Sequence, residues 1–228
     1  MAYVISAYST PTLPVAGTDD VFPLNRIFCV GRNYREHARE MGHDPDRELP
    51  FFFMKPGVAV LPPGHDFPYP AHSTDVHHEI ELVVALARGG ANIPAQDALQ
   101  TVYGYAVGLD MTRHDLQLEA KKSGRPWEVG KSFENSAPCS TIQPTHKIGH
   151  PSAGAIWLDI NGKRTQSGDI STLIWKVPEI ISILSGLFTL SAGDLIFTGT
   201  PAGVGPVKRN DLLHGEVEKV GELTVRVI

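Results

Sequence analysis

Residues 76–86 read V-H-H-E-I-E-L-V-V-A-L, an apolar run of strand length that carries two glutamates one residue apart. Alternate side chains of a strand share a face. His77, Glu79, Glu81, Val83 and Ala85 therefore point one way, and His78, Ile80, Leu82, Val84 and Leu86 the other. The second face is core, whereas the first holds two carboxylates about 6–7 Å apart at the backbone, close enough to converge on one cation. On an open face water alone would keep them charged. Packed together they repel unless positive charge lies between them, and no Lys or Arg stands among these same-face neighbours. A base on a neighbouring strand or a bound ion has to supply that charge.

A third acid, Asp110, ends the segment V-Y-G-Y-A-V-G-L-D at 102–110, where Gly104, Ala106 and Gly108 share its face. Small side chains there leave room for a ligand or another backbone. Three carboxylates with no cysteine make a hard oxygen site, suited to Mg²⁺, Mn²⁺ or Ca²⁺ rather than structural zinc. Cys29 and Cys139 are the only cysteines and stand in neither CxxC nor Cys/His spacing, so no disulfide framework is expected and a reducing cytoplasm is the simplest home.

The rest of the chain reads as one domain rich in strands. Residues 1–20 are an extended lead-in, and the compact domain is expected to span 21–228, a length that buries a real core. Strands are expected at I-F-C-V-G (27–31), F-F-F-M-K-P (51–56), 78–86 and 102–110, with D-L-I-F-T-G and E-L-T-V-R-V-I near the end. Asn161-Gly162 is a strong hairpin signal. Capping patterns predict short helices from Tyr34 to Met41, opened by Asn33 with Glu36, and from Thr112 with Asp115 to Gly124; Pro178 opens a third that ends by Gly186. Without regular strand–helix alternation the class is α+β, mainly β.

A formal charge of -5, from 20 Lys+Arg against 25 Asp+Glu, and the absence of a basic block argue against nucleic acid as a partner. No apolar run reaches the ~20 residues of a membrane span, so no membrane association is expected.

On the first predicted helix His37 and Glu40 stand three apart, as neighbours on one face, where a carboxylate orients an imidazole as a water-activating base. Such a pair is common on surfaces and gains meaning from its company: Arg32 and Asn33 upstream, Lys55 ending a strand, and Lys131 in W-E-V-G-K-S-F. The glycine-rich G-T-P-A-G-V-G-P at 199–206 follows a strand, but no helix follows it, which excludes a dinucleotide-binding turn. A tight loop offering backbone N–H groups and Thr200 to an anion is the other reading.

The ordered segments VGRNYREHAREMG, PFFFMKP, HHEIEL, YGYAVGLDMTRHDLQ, GKSFENSAP and LIFTGTPAGVGPV, from about Arg26 to the C-terminus, closely resemble the fumarylacetoacetate hydrolase family in its short acylpyruvate hydrolase branch. The resemblance implies a mixed β roll with a few short flanking helices, generally as a homodimer. It implies Mg²⁺ or Mn²⁺, with Ca²⁺ as a stand-in in vitro, on Glu79, Glu81 and Asp110. His37 and Glu40 would activate water, Lys131 would assist an oxyanion, and Gln117 and Thr200 would contact substrate oxygens, with Arg32, Asn33 and Lys55 as further candidate substrate contacts. The implied substrate is a 2,4-diketo acid cleaved at a carbon–carbon bond. The segment HAREMGHDPDRELPFFFMKP is most similar to hydrolases of the gentisate branch of aromatic catabolism, which implies fumarylpyruvate. Its distal carboxylate would need a cation, for which Arg113, Lys122 and Arg125 are candidates, and Met41 to Pro50 is a candidate lid. The rivals are an oxaloacetate decarboxylase, a catabolic isomerase/decarboxylase of the same family, and a metal-dependent binding protein without turnover.

Overall fold

The structure is a computed structural model that describes residues 3–40 and 49–228. Most of the candidate lid, residues 41–48, lies outside the described residues, as does the expected helix end at Met41.

Six strands form a mixed sheet in the order Gln143–Pro144, Val102–Leu109, Ile80–Leu86, Leu195–Phe197, Arg26–Gly31 and Phe51–Pro56. All neighbours are antiparallel except Leu195–Phe197 and Arg26–Gly31, which run parallel. The strand Ile80–Leu86 is buried along its whole length, so both faces of the sheet are covered. Ile80, Leu82 and Val84 belong to one apolar cluster with Ile156, Leu158, Leu213 and Val225 of a four-stranded antiparallel sheet. The helix Val177–Leu187 adds Ile180, Ile181 and Leu184 to that cluster, one apolar stripe at helical spacing. On the opposite face Val83 and Ala85 pack with Leu13, Val15, Ile27, Cys29 and Phe197. Each such side chain removed from water contributes about 1.5–3 kcal/mol. The mainly β class is therefore as expected, with few helices among the described residues.

Three local expectations change. The packed chain begins near Thr12 rather than Val21: Thr12–Pro14 pairs with Val21–Pro23, and Leu13 and Val15 are buried. Apolar side chains in the lead-in reach the sheet, which a Pro- and Thr-rich composition conceals. The strand expected over 78–86 breaks at Glu79, with Val76–His78 joining a separate three-stranded ribbon. The second helix is His114–Lys122, preceded by a short strand Thr112–Arg113. Thr112 does not cap it, because its hydroxyl donates to Glu79 Oε1 at 3.2 Å; Asp115 instead accepts from Ser73 Oγ at 2.7 Å and the Thr74 N–H at 2.9 Å.

Other local signals hold. Asn161 and Gly162 have φ of 52° and 79°, the left-handed pair that a two-residue hairpin requires, between Ala155–Ile160 and Lys163–Asp169. Pro178 lies in the first turn of its helix, and the Lys176 N–H donates to Glu179 Oε2 at 2.8 Å. Among the described residues no helix is long and apolar enough to cross a membrane.

Asn33, fully buried, ties the start of the first helix, Arg35–Glu40, to two distant segments. Its amide donates to the carbonyls of Trp175 (2.9 Å) and Thr198 (2.8 Å), and its side-chain oxygen accepts from the Trp175 N–H at 2.7 Å. Truncation leaves buried backbone groups unpaired at about 1–3 kcal/mol each. Asn33→Ala is therefore expected to lower stability by about 2–5 kcal/mol, read as a fall in the urea midpoint at unchanged m-value. A shift below about 0.5 kcal/mol would refute this bracing role.

Candidate active site

Two of the three acids, Glu79 and Asp110, stand where strands end, and the third lies on a regular strand. Glu81 lies on the buried strand Ile80–Leu86, on the face shared with Val83 and Ala85, as alternation predicts. Its Oε2 accepts the Gly199 N–H at 2.6 Å. Gly199 has φ of +99°, and a Cβ there would lie 2.7 Å from Asn33 Cβ, so only glycine lets the loop close on the carboxylate. The glycine-rich loop does present an N–H to an anion, but the anion is Glu81. Glu79 sits at the strand break, and its carbonyl accepts the Asp110 N–H at 2.8 Å, which brings Asp110 alongside. Ligand oxygens of Glu79, Glu81 and Asp110 then lie within 4.8 Å of one another. The small residues before Asp110 serve packing: a Cβ on Gly104 would meet the Gln143 carbonyl at 2.4 Å, and one on Gly108 would meet Phe197 and Val83 at 2.6 Å.

The compensating bases come from other elements. Lys131, on the short helix Glu128–Lys131, donates to Glu79 Oε2 (2.9 Å) and Asp110 Oδ2 (2.8 Å). Lys55, on the edge strand Phe51–Pro56, lies 2.8 Å from Asp110 Oδ1 and also donates to the Met111 and Lys131 carbonyls and Ser136 Oγ. Three carboxyls face two ammoniums, so one acid has no matching cation in a buried place. Burial pushes the Glu81 carboxyl well above the usual carboxylate range, and Asp110 and Glu79 push it further. Burial also opposes ionisation of Glu79, yet the Lys131 ammonium holds it below that range. Burial disfavours the Lys131 charge too, but Asp110 and Glu79 hold its pKa above the ordinary lysine value. An all-oxygen donor set with unrelieved repulsion on Glu81 fits a hard divalent cation of the Mg²⁺ or Mn²⁺ type.

The acids open onto a cavity of about 260 Å³. Its wall includes Glu79, Glu81 and Lys131 together with His37 and Glu40 of the first helix, whose Nδ1 and Oε2 are 3.6 Å apart. Arg32, Gln117 and Thr200 also line it. Arg32 has φ of 58° and its guanidinium lies over the Phe51 ring at 5.1 Å, while Thr200 Oγ1 accepts from Gln166 Nε2 at 2.8 Å. Asn33 and Lys55 are not on this wall. Both are buried with their donors engaged, Asn33 on the Trp175 and Thr198 carbonyls and Lys55 on Asp110 and its neighbours, which are bracing and charge-balancing positions.

The expected distal cations are also elsewhere. Arg113 lies over the Phe133 ring at 4.2 Å, Lys122 is exposed, and the exposed Arg125 is 3.9 Å from Glu119. Besides Arg32, His37 and Lys131, the wall carries the basic side chains Lys121, His114 and His77, which the sequence reading passed over. A signal existed: His114, Gln117 and Lys121 recur at i, i+3 and i+7, one face of the helix, and His77 shares a face with the glutamates.

Residues 26–228 match the family model described as fumarylacetoacetate (FAA) hydrolase, C-terminal. The chain is 45% identical over 201 residues to the mitochondrial oxaloacetate tautomerase FAHD1 of Mus musculus, covering 88% of this chain and 90% of that one. It is 42% identical over 189 residues to fumarylpyruvate hydrolase of Ralstonia sp, covering 82% and 98%. The crystal structure of fumarylpyruvate hydrolase from Pseudomonas aeruginosa in complex with Mn²⁺ and pyruvate superposes with a TM-score of 0.97, at 48% identity, over 100% of this chain and 99% of that one.

Breaking the Lys55–Asp110 pair strands a buried carboxylate. Lys55→Met is expected to cost about 3–5 kcal/mol, measured by urea unfolding in chelator. Saturating Mn²⁺ is expected to recover part of that loss; an unchanged midpoint in chelator would show that Lys131 alone balances the site.

Proposed function

The chain belongs to the fumarylacetoacetate hydrolase family, and on that premise we propose that it hydrolyses a carbon–carbon bond of an acylpyruvate, with fumarylpyruvate as substrate and fumarate and pyruvate as products. The observation that carries this reading is the His37–Glu40 pair on the same cavity wall as Glu79 and Glu81 of the carboxylate triad. Hydrolysis needs an activated water beside a site for a diketo acid, and simple enolisation or decarboxylation does not.

Glu79, Glu81 and Asp110 would hold a divalent cation, which when bound supplies positive charge for the substrate's carboxylate and 2-keto oxygens. The homologous Mn²⁺ complex supports an ion of this class, and Mg²⁺ fits the same oxygen donors. Glu40 Oε2 lies 3.6 Å from His37 Nδ1, beyond hydrogen-bond distance, and a small approach of the carboxylate would orient the ring and leave Nε2 to take a proton from water. The oxygen adds to C4 of the diketo acid, whose carbonyl becomes an oxyanion. Lys131 has three N–H donors, two of them held by Glu79 and Asp110, and the third serves that oxyanion. Collapse re-forms the C4 carbonyl as the new carboxyl of fumarate and breaks the C3–C4 bond. Its electron pair passes to C3, delocalised as the pyruvate enolate, and the proton held on His37 returns to C3. Gln117 and Thr200 position substrate oxygens during these steps.

A second reading, oxaloacetate tautomerisation, is favoured by the similarity to the mouse relative, and a decarboxylase or isomerase/decarboxylase would use the same enolate. A direct test follows the ultraviolet absorbance of fumarylpyruvate with Mg²⁺ or Mn²⁺ and then with chelator, beside acetylpyruvate and oxaloacetate. Chelator-sensitive loss with one pyruvate released per substrate is expected. Intact fumarylpyruvate with accelerated oxaloacetate conversion would overturn the hydrolase reading, and inertness toward every substrate would favour a binding protein. His37→Ala is expected to keep Mn²⁺ binding and to lose about 10²–10⁴ in hydrolysis, whereas Glu81→Ala loses both. Full activity in His37→Ala would remove His37 from the role of base.

A further inference from the structure

The cavity wall carries both signs of charge: the carboxyls of Glu79 and Glu81 and, besides Lys131 and Arg32, the basic side chains Lys121, His114 and His77. We propose that Lys121, with the His114–His77 pair beside it, receives a second carboxylate of the substrate, so that the site selects dianionic acylpyruvates over those with an uncharged acyl tail. This inference rests on the acylpyruvate reading above and deepens it by assigning the acyl-tail subsite.

Lys121 is the principal group. Its ammonium lies over the Trp127 ring at 4.7 Å, and among the described residues it forms no ion pair with a carboxylate. Burial and the neighbouring Lys131 ammonium hold its pKa below the ordinary lysine value, opposed by Glu79, so an arriving anion would relieve a cation that the fold leaves uncompensated. The helix sets its direction: Lys121 follows Gln117 by four residues and shares its face, whereas Lys122 is rotated out to solvent.

The two imidazoles are held in a specific way. His77 Nε2 lies 2.9 Å from Asp75 Oδ1 and His114 Nδ1 lies 2.8 Å from Asp75 Oδ2, with the rings stacked 4.0 Å apart and 17° from parallel. A carboxylate only accepts, so both of these nitrogens carry hydrogens. Asp75 thus clamps both rings from one side and leaves their other nitrogens, His77 Nδ1 and His114 Nε2. Although Asp75, His77 and His114 place ligand atoms within 4.8 Å of one another, nearly parallel stacked rings direct their nitrogens side by side rather than onto one point. That geometry suits bonding to a carboxylate better than a second metal ion. Phe51 and Trp127, packed edge to face at 5.3 Å, supply an apolar flank on the same wall for the substrate's carbon chain.

The test compares Lys121→Met, Lys121→Arg and His114→Asn with the unmodified chain in the presence of Mn²⁺. In Lys121→Met the ratio of kcat/KM for fumarylpyruvate to that for acetylpyruvate is expected to fall about ten- to hundredfold, the worth of one charge-assisted hydrogen bond. His114→Asn should move the ratio in the same direction, and Lys121→Arg should restore most of it. An equal loss on both substrates would place Lys121 at the shared keto-acid end and overturn the inference, as would an unchanged ratio. Fumarate titrated against tryptophan fluorescence needs no turnover: its affinity should weaken by a similar factor in Lys121→Met, and an unaltered affinity would overturn the subsite. Should the unmodified chain leave fumarylpyruvate intact yet bind fumarate in a Lys121-dependent way, the hydrolase reading fails and the subsite stands.

Discussion

Three buried carboxylates in mutual contact are the condition around which the rest of the site is arranged. Glu79, Glu81 and Asp110 cannot all ionise in a dry interior without nearby positive charge, and the fold brings Lys55 and Lys131 from separate elements to supply part of it. The compensation stops one charge short. Had a third base been packed there, the acids would be a closed ion-pair network. As it is, Glu81 retains its repulsion from two neighbours and has only the Gly199 N–H as its direct hydrogen-bond partner among the described residues. An oxygen site left in this state is suited to an exchangeable divalent ion.

The sheet holds this arrangement by departing from regularity at a few points. The chain leaves the ladder at Glu79, so its side chain reaches Asp110 and Lys131 rather than continuing a pleated face. Gly199 takes a backbone conformation closed to other residues and lets the loop press on Glu81 and Asn33. Asn33 in turn fixes the entry to the helix that carries His37 and Glu40. The carboxylates and the helix of His37 and Glu40 are thereby connected through buried hydrogen bonds to the same few backbone segments, a form of preorganisation.

Chemically, the cavity separates two tasks. Its acidic side chains, with Lys131 beside them, suit the stabilisation of charge that develops on keto oxygens. Its basic wall, Lys121 over Trp127 and two imidazoles clamped by Asp75, suits a charge already present on the substrate. The chain is similar both to a protein named for a tautomerase and to one named for a hydrolase.

Much of this was legible in the linear chain. The E-x-E spacing in an apolar run, Asp110 after a strand with small residues, and the His37–Glu40 pair pointed to residues that the fold does bring near one cavity, because period-two and i, i+3 relations are local geometry that residue order alone determines. The mainly β class, the Asn161-Gly162 hairpin and the proline-opened helix were equally readable. What the order of residues could not decide is which distant groups meet. Lys55 and Asn33 read as contacts for substrate until packing turned them inward, Thr112 read as a helix cap until its hydroxyl met Glu79, and Arg113, Lys122 and Arg125 were no less eligible than Lys121. A lysine's role depends on which carboxylate lies within a few ångströms of its ammonium, and long-range strand pairing and helix rotation set that distance.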